Sequence, residues 1–137
     1  MAKVDEIARD VFRISILGPH FNLQFNHFLI RDEEPLLFHA GYKRMFPELR
    51  EAVTRLLNPQ TIRWVSFSHF ESDECGALNH WLETAPKAQA ACSFVGAVVS
   101  VNDLDYFVKP NHFSVTYCKP AECGFRPIVH SWEALGV

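Results

Sequence analysis

The stretch SHFESDECGALN, residues 68–79, places one histidine, three acids and one cysteine between His69 and Gly76. The carboxylates of Glu71, Asp73 and Glu74 repel one another at this density unless something positive lies among them. Residues 61–69, TIRWVSFSH, read as a strand buried on both faces, and residues 74–84 as a helix presenting Leu78, Trp81 and Leu82. The cluster therefore sits where a buried strand hands over to a helix. The carboxyl ends of such strands are where open α/β sheets bind ligands. Along extended backbone, alternate side chains point the same way, so His69, Glu71 and Asp73 are expected to converge while Glu74 opens the helix.

Two readings compete for these residues. In one, Asp73 is an N-cap, Glu74 is an acid favoured by the helix dipole, Glu71 is solvated, and His69 is a hydrogen-bonded strand end. In the other they bind metal. The alternation H-x-E-x-D favours the metal, because capping does not require it. One imidazole with several carboxylates is a harder donor set than Cys and His, and it suits iron or manganese better than structural zinc. Three acids exceed the usual need of one divalent ion, which points to two.

Further out, residues 11–17 (VFRISIL), 25–30 (FNHFLI) and 36–40 (LLFHA) read as three strands, antiparallel because their connections are short. Residues 46–57 carry apolar Phe46, Leu49, Val53, Leu56 and Leu57 at helical spacing, with Pro47 suited to the first turn and Asn58–Pro59 as the stop. A short strand at 91–94 and a short helix at 96–104 are expected beyond the cluster. Strands first, then helix and strand in alternation, predict an α/β layered sheet of mixed direction.

The whole chain bounds the rest. Its 137 residues suit one domain, residues 1–137, and 48% hydrophobic with 21% charged residues is an ordinary globular balance. A net charge of -3 gives no reason to expect nucleic acid or an anionic membrane as partner. The charged start, MAKVDEIARD, has no apolar signal core, and no window is apolar enough for a membrane span, so a cytoplasmic chain is expected. Cys75, Cys92, Cys118 and Cys123 form no CxxC pair and are expected as reduced thiols. Cys75 falls at a helix start, where a thiolate is stabilised, but no base is evidently paired with it. His20, His27 and His39 read as partly buried, hydrogen-bonded side chains in or beside the early strands, and His80 as a surface residue. His39 is the one placed to approach the cluster from the same sheet edge, and His112 is a further ligand candidate. No glycine-rich phosphate loop is present.

H-x-E-x-D after a buried strand, within SHFESDECGALN, resembles the metallo-β-lactamase fold, and within it the diiron branch of flavodiiron and oxygen-binding diiron proteins. NHFLIRDEEPLLFHAG looks like the early strand segment of that branch. The resemblance implies a partial metallo-β-lactamase-like αββα half: a mixed sheet with flanking helices. It implies two iron ions, with zinc or manganese as alternatives, His69 and Glu71 serving one ion and Asp73 the other. Glu74 stands where the family commonly carries histidine, and a carboxylate there can still ligate. RPIVHSWEALGV resembles the segment around the next ligand, which makes His130 the candidate. The family's bridging aspartate and last histidine have no counterpart before Val137, so a truncated chain and an incomplete site are expected. The implied function is binding, sensing or reduction of dioxygen or nitric oxide, with a redox partner protein. Alternatives are a metal-dependent hydrolase, disfavoured by Glu71 where such enzymes usually carry histidine, or a metal-free domain persisting as a homodimer through exposed sheet.

Overall fold

The alternation of apolar and polar residues from Val11 onward is expressed as a long hairpin. In the computed structural model, which describes residues 1–20 and 22–93, strand β2 (Val11–Gly18) pairs antiparallel with β3 (Leu23–Ile30) in register from Val11 opposite Ile30 to Gly18 opposite Leu23. Ile14, Ile16 and Leu29 point into the core. Strand β1 (Lys3–Ala8), which the charged composition of MAKVDEIARD conceals, pairs antiparallel with β2 through a tight turn at Arg9–Asp10. Asp10 takes the left-handed conformation there, with φ 59°, a region that Asp tolerates better than most residues. A register shift between Glu6 and Ala8 marks a bulge that leaves Ile7 exposed.

Strand β4 (Leu36–Phe38) closes the antiparallel half against β3, and then the direction changes. Helix α1 (Phe46–Thr54) carries the chain over to β5 (Trp64–Ser66), which runs parallel to β4. After helices α2 (Ser72–Cys75) and α3 (Leu78–Thr84), β6 (Gln89–Ala91) runs parallel to β5. The result is one mixed six-stranded sheet in sequential order β1 to β6. A single apolar cluster joins the sheet residues Ile14, Leu29, Leu37 and Val65 to Leu49 and Val53 of α1 and to Leu78 and Trp81 of α3. This is the mixed α/β sheet with flanking helices that the order of strands and helices predicts.

Three element boundaries differ from expectation, each for a local reason. The strand expected over residues 61–69 shortens to three residues, because Pro59–Thr61 form a 3-10 turn capped by the Asn58 side chain. The helix expected over 74–84 is two helices, interrupted at Gly76 and Ala77. The strand expected over 91–94 begins at Gln89 and ends at Ala91, while the helix expected over 96–104 lies outside the described residues. No helix among the described residues is long and apolar enough to cross a membrane.

Candidate metal centre

Segment 39–41 lies beyond the end of β4 and receives the cluster. His39 and Gly41 both adopt positive φ, 67° and 82°, so the chain turns sharply away from the sheet. The turn exposes backbone groups that hold the following helices. Ala40 N–H donates to the Glu74 carbonyl at 2.6 Å, Ala77 N–H donates to the Gly41 carbonyl at 2.7 Å, and the Trp81 indole N–H donates to the Ala40 carbonyl at 3.0 Å. Helices α2 and α3 thus hang from the edge of β4. A Cβ on Gly41 would sit 2.9 Å from Cε1 of His27, so this residue is small for reasons of space as well as of φ.

The expected convergence of His69, Glu71 and Asp73 takes a different form. Extended backbone ends at Glu71, whose carbonyl accepts from the Glu74 and Cys75 N–H groups and starts α2. Alternation gives way there to helical spacing, and the residue that swings back toward His69 is Glu74. Its carboxylate accepts from Ser68 N–H at 2.9 Å, from His69 N–H at 2.6 Å, and from the Ser68 hydroxyl at 2.8 Å. Two imidazoles flank it, with His39 Nε2 at 3.4 Å and His69 Nδ1 at 3.5 Å. Burial by itself would raise the Glu74 pKa. The His69 amide, the Ser68 hydroxyl and the neighbouring imidazoles outweigh it, so the carboxyl lies below its ordinary value.

Glu71 is exposed and its side chain makes no capping bond, whereas Asp73 is half-buried in the first turn of α2. His130 and His112 lie outside the described residues. Among the described residues, no group of three or more His, Cys, Asp or Glu side chains is placed to hold a metal ion. Cys75 is buried and donates to the Glu71 carbonyl at 3.1 Å. Burial pushes its thiol up to about 11, with the Glu74 and Asp73 charges adding to the effect. The helix start does not activate it.

The early-strand histidines fall in three environments. His20 is exposed. His39 is tied at both ring nitrogens, Nδ1 3.3 Å from the Asn26 carbonyl and Nε2 3.1 Å from Ser68 Oγ. His27 is a core residue at 1% exposure. Its Nδ1 lies 2.9 Å from the His39 carbonyl, its Nε2 is buried with no hydrogen-bond partner among the described residues, and burial pushes its pKa down to about 4. The alternation of β3, which turns Asn26 outward and His27 inward with Leu29, was the available signal for its burial. His80, expected on the surface, packs its ring 5.1 Å from Phe46.

The family model described as ODP family beta lactamase matches residues 23–105, a span that contains β3 to β6 and the whole of H-x-E-x-D. The chain belongs to this family. Flavo-diiron protein FprA2 of Clostridium acetobutylicum is 24% identical over 108 residues, covering 71% of this chain and 27% of the relative. Among solved structures, rubredoxin oxygen:oxidoreductase from Desulfovibrio gigas superimposes with a TM-score of 0.69 at 19% identity, over 84% of this chain and 31% of that one. A metallo-beta-lactamase from Cronobacter sakazakii gives a TM-score of 0.59 at 18% identity, over 69% and 36% of the two chains. At such identities the structural matches establish the shared fold. The ODP family chain thus spans about a third or less of the length of these proteins.

Proposed function

We propose that this ODP family chain is a diiron-type metal-binding domain that binds dioxygen or nitric oxide, to sense or reduce it. The observation that carries the reading is H-x-E-x-D at the carboxyl end of β5, within the span matched by the family. The names of the relatives, flavo-diiron protein and rubredoxin oxygen:oxidoreductase, support the choice of metal and of dioxygen as substrate. The fit to iron rests on donor chemistry, one imidazole with hard carboxylate oxygens. His69, Glu71 and Asp73 are the proposed ligands, with His130 as a further one and Glu74 as a donor whose oxygens already serve Ser68 and His69.

Bound iron would supply the redox change and the affinity for a diatomic gas. The chain's own residues would set the conditions. Of the proposed ligands, His69 and Asp73 are half-buried and Glu71 is exposed. Electrons for turnover would come from a redox partner protein.

Metal quantification after aerobic purification tests the reading. Stoichiometric iron with a visible iron-centred absorption supports it. Zinc accompanied by esterase activity would replace it with hydrolysis, and a metal-free protein whose melting temperature ignores chelators would remove metal from the account.

A further inference from the structure

We propose that the His27 ring and the 39–41 turn packed on it form an acid-sensitive latch: a proton at His27 Nε2 releases the turn, and with it helices α2 and α3, while β2 and β3 stay paired. The latch does not require that the cluster at 68–74 hold metal.

The turn itself closes the ring in. His27 is 1% exposed, its Nδ1 lies 2.9 Å from the His39 carbonyl, and a Cβ on Gly41 would sit 2.9 Å from its Cε1 and 3.5 Å from its Nδ1. A carbonyl oxygen only accepts, so the neutral ring carries its proton on Nδ1 and keeps the lone pair on Nε2. Nε2 has no hydrogen-bond partner among the described residues. Acid adds its proton there, and a buried imidazolium whose second N–H finds no acceptor is strongly disfavoured. Two titratable groups act on the ring through space: the His39 imidazole opposes the added charge, and the Asp73 carboxylate of α2 attracts it. Burial outweighs both.

Water can reach the ring by parting β3 from β2, where His27 stands opposite Ile14, or by lifting residues 39–41 off it. The first breaks a ladder that runs the length of both strands. The second breaks only the bonds of the turn, and the turn is already strained. His39 is held at φ 67°, which costs free energy for a residue with a Cβ. Its N–H donates to the Ser66 carbonyl at 2.7 Å, one of the bonds that keep it there. Helices α2 and α3 hang on the same turn through the Ala40 N–H, the Gly41 carbonyl and the Ala40 carbonyl. Lifting the turn therefore frees both helices together and draws Glu74 away from Ser68 and His69. Segments held by a few such bonds open locally, at less cost than global unfolding.

Hydrogen exchange of the full chain, followed residue by residue in 1H–15N spectra at pH 7.5 and pH 5, tests the latch. The reporters are the Ala40 and Ala77 amides and the Trp81 indole N–H, set against amides of the β2–β3 ladder. Each protection is taken relative to the intrinsic exchange rate at that pH. The reporters are expected to be less protected than the ladder at both pH values. They should lose a further ~30-fold of protection at pH 5, the linkage of an imidazole that binds its proton near 6.5 when open and near 4 when closed. His27→Leu is expected to abolish that loss. Reporters as well protected as the ladder overturn the proposal, since the turn would then open only with the whole fold. Reporter protection that is equal at the two pH values overturns it as well, and so does a loss that persists in His27→Leu. If that variant does not fold, the two wild-type readings still decide.

Discussion

Glu71 separates binding from stability better than any other residue of the cluster. Its carbonyl starts α2, but its side chain is exposed and makes no capping bond. Glu71→Ala leaves the carbonyl in place, so metal-free stability is expected to change by no more than about 0.5 kcal/mol. Metal content should nevertheless drop sharply if the carboxylate is a ligand. Metal quantification beside a denaturation curve of the chelated protein checks both halves. Full occupancy in the variant would strike Glu71 from the ligand set. At this scale the sequence was informative about residue type and less so about direction. The H-x-E-x-D spacing located the cluster, but it could not show that helical backbone begins at Ser72 and turns Glu74 back toward His69. Helix starts depend on which carbonyl captures the first N–H groups, and here that is Glu71, which carries no side-chain cap.

Among the elements, those with strong period were legible: β2, β3 and α1 announce themselves through alternating or helical spacing of Phe, Ile and Leu. Strand β1 was not legible, because its Lys, Asp and Glu side chains reflect an edge position where polar groups are tolerated. The break between α2 and α3 was concealed for another reason. It is imposed by tertiary bonds to segment 39–41, distant in sequence, and not by local propensity. That segment is correspondingly sensitive. Gly41→Ala would place a Cβ 2.9 Å from the His27 ring at φ 82°, and it is expected to cost roughly 1–3 kcal/mol. Urea unfolding measures the loss. A Gly41→Ala protein as stable as wild type would show that the ring can yield and that the hub is less tightly built than the distances imply.

For the whole molecule, the sheet's change from antiparallel to parallel at β4 brings histidine 27, the 39–41 turn and α2 to one place, and this links global stability to pH. His27 is neutral in the folded chain at neutral pH, its pKa pushed from the ordinary 6.5 down to about 4 by burial. Its neighbours are the His39 carbonyl and ring and, more distantly, the Asp73 charge. In the unfolded chain the same imidazole takes a proton near its ordinary value. Below pH 6.5 the unfolded state therefore binds the extra proton, and stability falls as the pH drops. Above pH 6.5 both states are neutral and the full contribution is present. The loss continues until the folded form itself protonates near pH 4, and by then it amounts to roughly 3 kcal/mol. Urea midpoints of the metal-free chain at pH 7.5 and pH 5 should therefore differ, with the lower value at pH 5. His27→Leu removes the titrating group and the partnerless Nε2 together, so the variant should show a much flatter pH dependence over that range whatever its absolute stability. A slope unchanged by His27→Leu would assign the acid sensitivity to other groups, and would mean that His27 finds a proton partner in the folded core.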